Sequence, residues 1–355
     1  MDSKSAWITN GTLLCLSTFE NLILVSFLGN STLKNRNRYV LHYRNLIQAI
    51  KHGLKLEKIH RALKFNQSPW LSSYIEYNTE LRKGASNDFE KDFYKLLNNA
   101  VFGKTMENIR NRQDIQLVTD SKKLMKLIAK PNFIDRTIYN ENIAAVHMNK
   151  SRILFNKPIY IGMCILDLSK IVMYHFHYDV MMKRYPTNTL KMMYTDTDSF
   201  IYRILTDDVY EDMKNMNQYF DFSDYPKNHL CYSEKNKKKL GKFKDEMNSK
   251  IISKYVGLRA KMCVIMTENG VKKRAKGIKT STLKQYINFE DFEKVLFKNE
   301  IMHTPMRLIQ SKEHTIFSSE VNKISLSSFD DKRHILEDGI NTLAYGHYIL
   351  NEEKK

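Results

Sequence analysis

Between Asn87 and Arg110 the apolar residues Phe89, Phe93, Leu96, Leu97, Ala100 and Val101 recur at spacings of three and four. That spacing predicts a helix with one buried face, capped by Asn87 or Asp88. Upstream, residues 39–51 predict a short helix, and Lys58–Phe65 a strand with Ile59, Ala62, Leu63 and Phe65 partly buried. A turn at Gln67-Ser68-Pro69 opens a second helix, with proline at an early helical position. Beyond Arg110 come a strand (Ile115–Val118), a short helix and two strand-like runs up to about residue 148. Cys164–Arg184 reads as a long, mostly buried helix that stops before Pro186. Leu190–Tyr194 and Phe200–Ile204 flank a short insert, which predicts a β-hairpin with Phe200, Tyr202 and Ile204 alternating. A helix near 207–218, a basic tract at 235–244 and a strand-rich stretch from about 250 to 267 follow. Glu268-Asn269-Gly270 marks a turn, and the C-terminal part mixes a helix at 281–298 with strands ending near Tyr348. There is no internal repeat and no regular βαβ spacing, so the predicted class is α+β.

Composition narrows the partner. A hydrophobic content of 42% with 11% aromatics belongs to a globular chain, and the length suits roughly two domains. Lys and Arg number 57 against 39 Asp and Glu, a net charge of +18 that favours a polyanion. The apolar run Leu13–Leu28 is too short to span a bilayer and is interrupted by Glu20 and Asn21. Its Asp2 flank suits a signal peptide poorly, so nucleic acid and no membrane is the expectation. Cys15, Cys164, Cys231 and Cys263 lack metal-ligand spacing and read as reduced core thiols of an intracellular, by preference nuclear, protein.

Two stretches carry chemistry. Tyr194-Thr195-Asp196-Thr197-Asp198-Ser199 puts two carboxylates one residue apart at the hairpin tip. Carboxylates this close repel unless a cation lies between them, and Mg²⁺ is the usual one. In the long helix, Lys91, Lys95, Asn99 and Gly103 recur every four residues on one stripe. An ammonium, an amide and a close-approach glycine make a floor for a nucleoside triphosphate, and Phe102 at the border offers a flat surface under a base. Each alone reads more plainly as a solvated loop or a lysine face; an EF-hand is set aside because Ile201 and Asp207 stand where it needs glycine and glutamate.

Taken together, the two stretches resemble family B DNA polymerases. Motif C of that family, Tyr-Gly-Asp-Thr-Asp-Ser, corresponds to Tyr194–Ser199 with Thr195 for the glycine. Motif B, Lys-x-x-x-Asn-Ser-x-Tyr-Gly, corresponds to Lys95, Asn99, Ala100, Phe102 and Gly103. Thr197, between the aspartates, departs from the reverse-transcriptase pattern. Wider wording is similar to the protein-primed branch, especially polymerases of Maverick/Polinton transposons: Tyr39–Leu46, Lys58–Arg61, Phe89–Phe93, Gly103–Asn108, Ile165–Lys170 and Asp330–Arg333. The resemblance spans residues 38–348.

It implies part of a right-hand fold: 38–86 upstream of the fingers, 87–150 fingers and a following insertion, 151–267 palm, and 268–348 thumb and C-terminal region. Residues 1–37 stay unassigned and 349–355 form a charged tail. The implied activity is template-directed nucleotidyl transfer, with Asp198 and Asp196 on two Mg²⁺ ions, Mn²⁺ substituting. Lys95, Asn99, Phe102, Gly103 and Tyr194 would hold the incoming nucleotide; Arg259, Lys261, Lys276 and Gly277 would meet DNA. Primer–template DNA, deoxynucleoside triphosphates and a terminal protein primer are the implied partners. Motif A, Asp-x-x-Ser-Leu-Tyr-Pro, and the exonuclease have no counterpart; Asp221-Phe222-Ser223-Asp224-Tyr225-Pro226 and Asp167-Leu168-Ser169-Lys170 are near misses. The expectation is therefore a polymerase fragment inactive by itself, the alternative being a non-catalytic DNA-binding remnant.

Overall fold

The computed structural model describes residues 38–352 apart from 67, 187, 197, 313–314 and 348, together with the backbone of two strands at 5–8 and 12–17. The rest of the unassigned N-terminal segment, and the last residues of the charged tail, lie outside the described residues. Strands β1 (Ser5–Ile8) and β2 (Thr12–Ser17) precede helices α1 (Tyr43–Lys51), α2 (Ser72–Gly84) and α3 (Asp88–Thr105). Next come β3 (Asp114–Val118), α4 (Ser121–Ile128), β4 (Phe133–Asn140) and β5 (Ile143–Met148). Helix α5 (Ile159–Tyr174) continues through a π-helical stretch, His175–Met181, into α6 (Met182–Arg184). The chain goes on through β6 (Leu190–Asp196), β7 (Ser199–Ile204), α7 (Val209–Asn215), β8 (Lys244–Asp245), β9 (Ile252–Arg259), β10 (Met262–Thr267) and β11 (Gly270–Ala275). Helices α8 (Thr280–Tyr286) and α9 (Phe289–Phe297) and the long hairpin β12 (Met302–Lys312) and β13 (Thr315–Leu326) follow. Helices interspersed with antiparallel strand pairs make the class α+β.

Residues divide into two compact units, one of 1–99, 163–304 and 322–355, the other of 100–162 and 305–321. The smaller unit contains the sheet β3-β5-β4, whose Val118, Val146 and Met148 pack with Leu127 of α4. The larger contains the sheets β6-β7-β2-β8 and β1-β9-β10-β11. Strand β7 is buried on both faces: Phe200, Tyr202 and Ile204 join an aromatic cluster with Phe176, Phe220 and Phe243, while Ile201 joins Met193, Tyr255 and Cys263. Each such burial is worth about 2 kcal/mol, so the hairpin is anchored from both sides. Behind it His177, buried, lies 3.0 Å from the Tyr202 hydroxyl, and burial pushes its imidazole down to about 4.

Three predicted elements differ. Lys58–Phe65 forms no strand; Ile59 and Leu63 are 63% and 77% exposed, and residues 55–64 make no described hydrogen bond. Apolar alternation there promises a strand, but a strand also needs an edge to pair with. On α3 the predicted buried face is largely open, with Phe89 80% and Leu96 62% exposed. Helix α2 meets α3 elsewhere: the Tyr74 hydroxyl donates to the Leu97 carbonyl and Asn98 to the Thr79 hydroxyl, both at 3.4 Å. Asn87 does cap α3, accepting the Glu90 N–H at 2.9 Å. The predicted helix 281–298 is two helices, because Asn288 and Asp291 form a capping box that starts α9 afresh.

Candidate active site at the β6–β7 turn

Strands β6 and β7 pair with Tyr194 opposite Ile201, Thr195 opposite Phe200 and Asp196 opposite Ser199. A bulge between Met192 and Tyr194 gives β6 one extra residue and sets which residues share a face near the tip. The Asp198 N–H donates to the Asp196 carbonyl at 2.6 Å and the Ser199 hydroxyl to the same oxygen at 3.0 Å. These bonds close the chain tightly and put Asp196 and Asp198 together at the hairpin end. Strand β2 runs beside β7, with Ser17 opposite Ser199.

The turn meets a second loop. Lys261, between β9 and β10, brings its Nζ to 3.0 Å from Asp196 Oδ2. It does so from a left-handed backbone, φ 61°, which bulky residues rarely adopt. The Tyr194 hydroxyl donates to the same carboxylate at 3.4 Å. Burial above all holds Tyr194 far above the ordinary phenol range, and the Asp196 carboxylate adds to it, so it is a neutral donor. The Lys261 carbonyl accepts the Lys276 N–H at 3.0 Å, which brings Lys276 and Gly277 to this loop. Gly277 has φ 91° and its carbonyl accepts Lys323 Nζ at 3.1 Å. Cys263 is a core thiol, pushed up to about 12 by burial. Arg259 closes β9, paired with Met262 of β10. Lys95 and Asn99 lie one turn apart on α3 with Phe102 and Gly103 on the next, so the helix itself sets their spacing.

Both near misses to motif A have other work. Asp167 is 5% exposed; its Oδ2 accepts the His42 N–H at 2.6 Å and its Oδ1 meets Lys170 Nζ at 3.0 Å. With Asn45 donating to the Asp167 carbonyl and Gln48 to that of Ile171, it clasps α1 onto α5. Asp221 accepts the N–H groups of Ser223 and Lys238 at 3.0 and 2.8 Å, which shapes a loop. Among the described residues no group of three or more His, Cys, Asp or Glu could hold a metal ion. Two carboxylates with substrate phosphates can hold one Mg²⁺, whereas a paired-ion centre needs more. Among the described residues the donor set therefore fits one cation and not two. Its contact with Lys261 is the feature that the sequence did not signal, because nothing in the wording of either stretch pairs them.

Residues 28–183 match the family model of DNA polymerase type B, organellar and viral. That range takes in α1, α2, α3, including Lys95–Gly103, and the whole of α5, and ends before the Tyr194–Ser199 turn. Among solved structures the chain is similar to "Phi29 DNA polymerase complexed with primer-template DNA (post-translocation binary complex)", at 14% identity and a TM-score of 0.47. That match covers 88% of this chain and 50% of the other, so the chain spans about half the length of that polymerase. No curated protein matches significantly.

Proposed function

We propose that this chain is part of a type B DNA polymerase of the protein-primed kind, and that the β6–β7 turn belongs to its centre of nucleotidyl transfer. The observation that carries this is the 3.0 Å contact between Lys261 and Asp196. It joins a lysine that the resemblance places against DNA to a carboxylate that it places on the metal ions, from two stretches far apart in the chain. In this reading Lys95 and Asn99 hold triphosphate oxygens, Phe102 packs on the nascent base pair, Gly103 allows close approach, and Lys261 and Lys276 meet primer phosphates. Mg²⁺ on Asp198 and Asp196 would neutralise phosphate charge and acidify the primer hydroxyl. The second ion needs a carboxylate that the described residues do not supply, so the chain alone binds DNA and nucleotide without extending a primer.

The short donor set also favours a second reading, a DNA-binding remnant with no nucleotide chemistry. Fluorescence anisotropy of a labelled primer–template, with Mg²⁺ and each deoxynucleoside triphosphate in turn, separates them. The polymerase reading expects only the triphosphate complementary to the next template base to tighten binding, by about tenfold, or about 1.4 kcal/mol. Binding indifferent to all four overturns it in favour of the remnant.

A further inference from the structure

Lys261 stands in a turn whose backbone is held while its side chain can swing. Strand β9 ends at Arg259, paired with Met262 at the start of β10, which leaves Ala260 and Lys261 as the turn. Met262 is paired on its other side with Ala275 of β11, and the Lys261 carbonyl takes the Lys276 N–H at 3.0 Å. With φ at 61°, Lys261 keeps a backbone conformation that persists only where its surroundings fix it. The ammonium therefore reaches out from a fixed point on a flexible four-carbon stem. In the pair with Asp196 the lysine and carboxylate side chains are 46% and 23% exposed. An ion pair this open to water is weak, and a competing ion exchanges it. Departure of the lysine does not strand the carboxylate, because the Tyr194 hydroxyl is a second donor to the same Oδ2. One ammonium thus stands between a carboxylate on the turn and any anion that comes to the Lys276 side of the loop, and it cannot serve both.

We propose that Lys261 is a latch: it rests on Asp196 until a divalent cation takes that carboxylate, and is then released to a DNA phosphate. Cation and DNA thereby strengthen each other's binding through one side chain. The proposal rests on the polymerase reading in taking a divalent cation and DNA as the two ligands. A lysine devoted to phosphate would instead contribute to DNA binding equally with and without the cation. The test is anisotropy of a fluorescent primer–template with the whole chain and no nucleotide, first in EDTA and then in saturating Mn²⁺. In EDTA, Lys261→Met should bind DNA as the unaltered chain does, because the ammonium it removes is on Asp196. In Mn²⁺ the unaltered chain should bind about threefold more tightly than the variant, the strength of a surface ion pair. Reciprocally, DNA should raise Mn²⁺ affinity, read by electron paramagnetic resonance, by a factor about threefold larger in the unaltered chain. Asp196→Asn opens the latch without a cation and without touching the β9–β10 turn. In that background, and in EDTA, Lys261→Met should weaken DNA binding about threefold. A loss of the same size in EDTA and in Mn²⁺ overturns the latch in favour of a lysine always on DNA. No loss in either condition or in the Asp196→Asn background overturns it in favour of a fixed ion pair. The comparison in EDTA contains neither cation nor nucleotide, so a failure of matched nucleotide to tighten binding counts against the transfer centre and not against the latch.

Discussion

Asp167 and Asp196 each have a lysine Nζ 3.0 Å away, and the two pairs are built for different ends. At Asp167 both side chains are nearly closed off, 11% exposed for Lys170 and 8% for Asp167, and a backbone N–H occupies the other carboxylate oxygen. At Asp196 the lysine side chain is 46% exposed and reaches in from a loop, and a second carboxylate, Asp198, shares the turn. The first pair cannot be opened without leaving a buried charge alone. The second can be exchanged, because water screens both partners and a metal ion or phosphate can replace either one. Equal distances thus conceal a buried clasp and a half-exposed pair, and burial tells them apart.

The strongest way to break this comparison is Asp167→Asn, which should lower stability by about 3 kcal/mol in urea unfolding. Nucleotide-dependent DNA binding at saturating folded protein should stay as it was; a change there without loss of stability would make Asp167 a ligand after all. His177 tests the buried side of the hairpin through pH. Its folded value near 4 lies below the ordinary imidazole value of 6.5, so the unfolded chain takes the proton first. Stability is complete above pH 6.5 and falls as the pH drops toward 4, by about 3 kcal/mol in all. The slope of urea midpoint against pH in this window should flatten in His177→Gln; an equal slope in both proteins would remove His177 as its cause. Asp198→Asn should do the opposite of Asp167→Asn, leaving the urea midpoint within about 0.5 kcal/mol and abolishing the tenfold tightening by matched nucleotide. A smaller effect sharpens the claim of exchange: Lys261→Met should raise Mn²⁺ affinity about threefold, since an ammonium no longer competes for Asp196. Weaker Mn²⁺ binding in that variant would mean that Lys261 helps to form the site.

Much of this was legible in sequence where local chemistry decides. The hairpin Leu190–Ile204 follows from alternation at Phe200, Tyr202 and Ile204, and the start of α3 from the cap at Asn87. What failed depended on partners distant in the chain. Lys58–Phe65 has a strand's alternation but no sheet edge, and α3 has an amphipathic stripe whose apolar side is left largely open at Phe89 and Leu96. The near misses at Asp167 and Asp221 look like ligands in one dimension; only their backbone N–H partners reveal them as structural. Lys261 is the converse: the resemblance sets it against DNA, and its contact with Asp196, delivered by the β9–β10 turn, shows only in three dimensions.

The central claim is that the Asp196–Asp198 turn is half of a transfer centre, and primer extension by the chain alone addresses it most directly. With primer–template, Mg²⁺ and all four deoxynucleoside triphosphates, the account predicts no elongated product even where matched nucleotide tightens binding. Mg²⁺-dependent extension that disappears in Asp198→Ala would contradict it, because the turn would then have to complete its metal set within this chain.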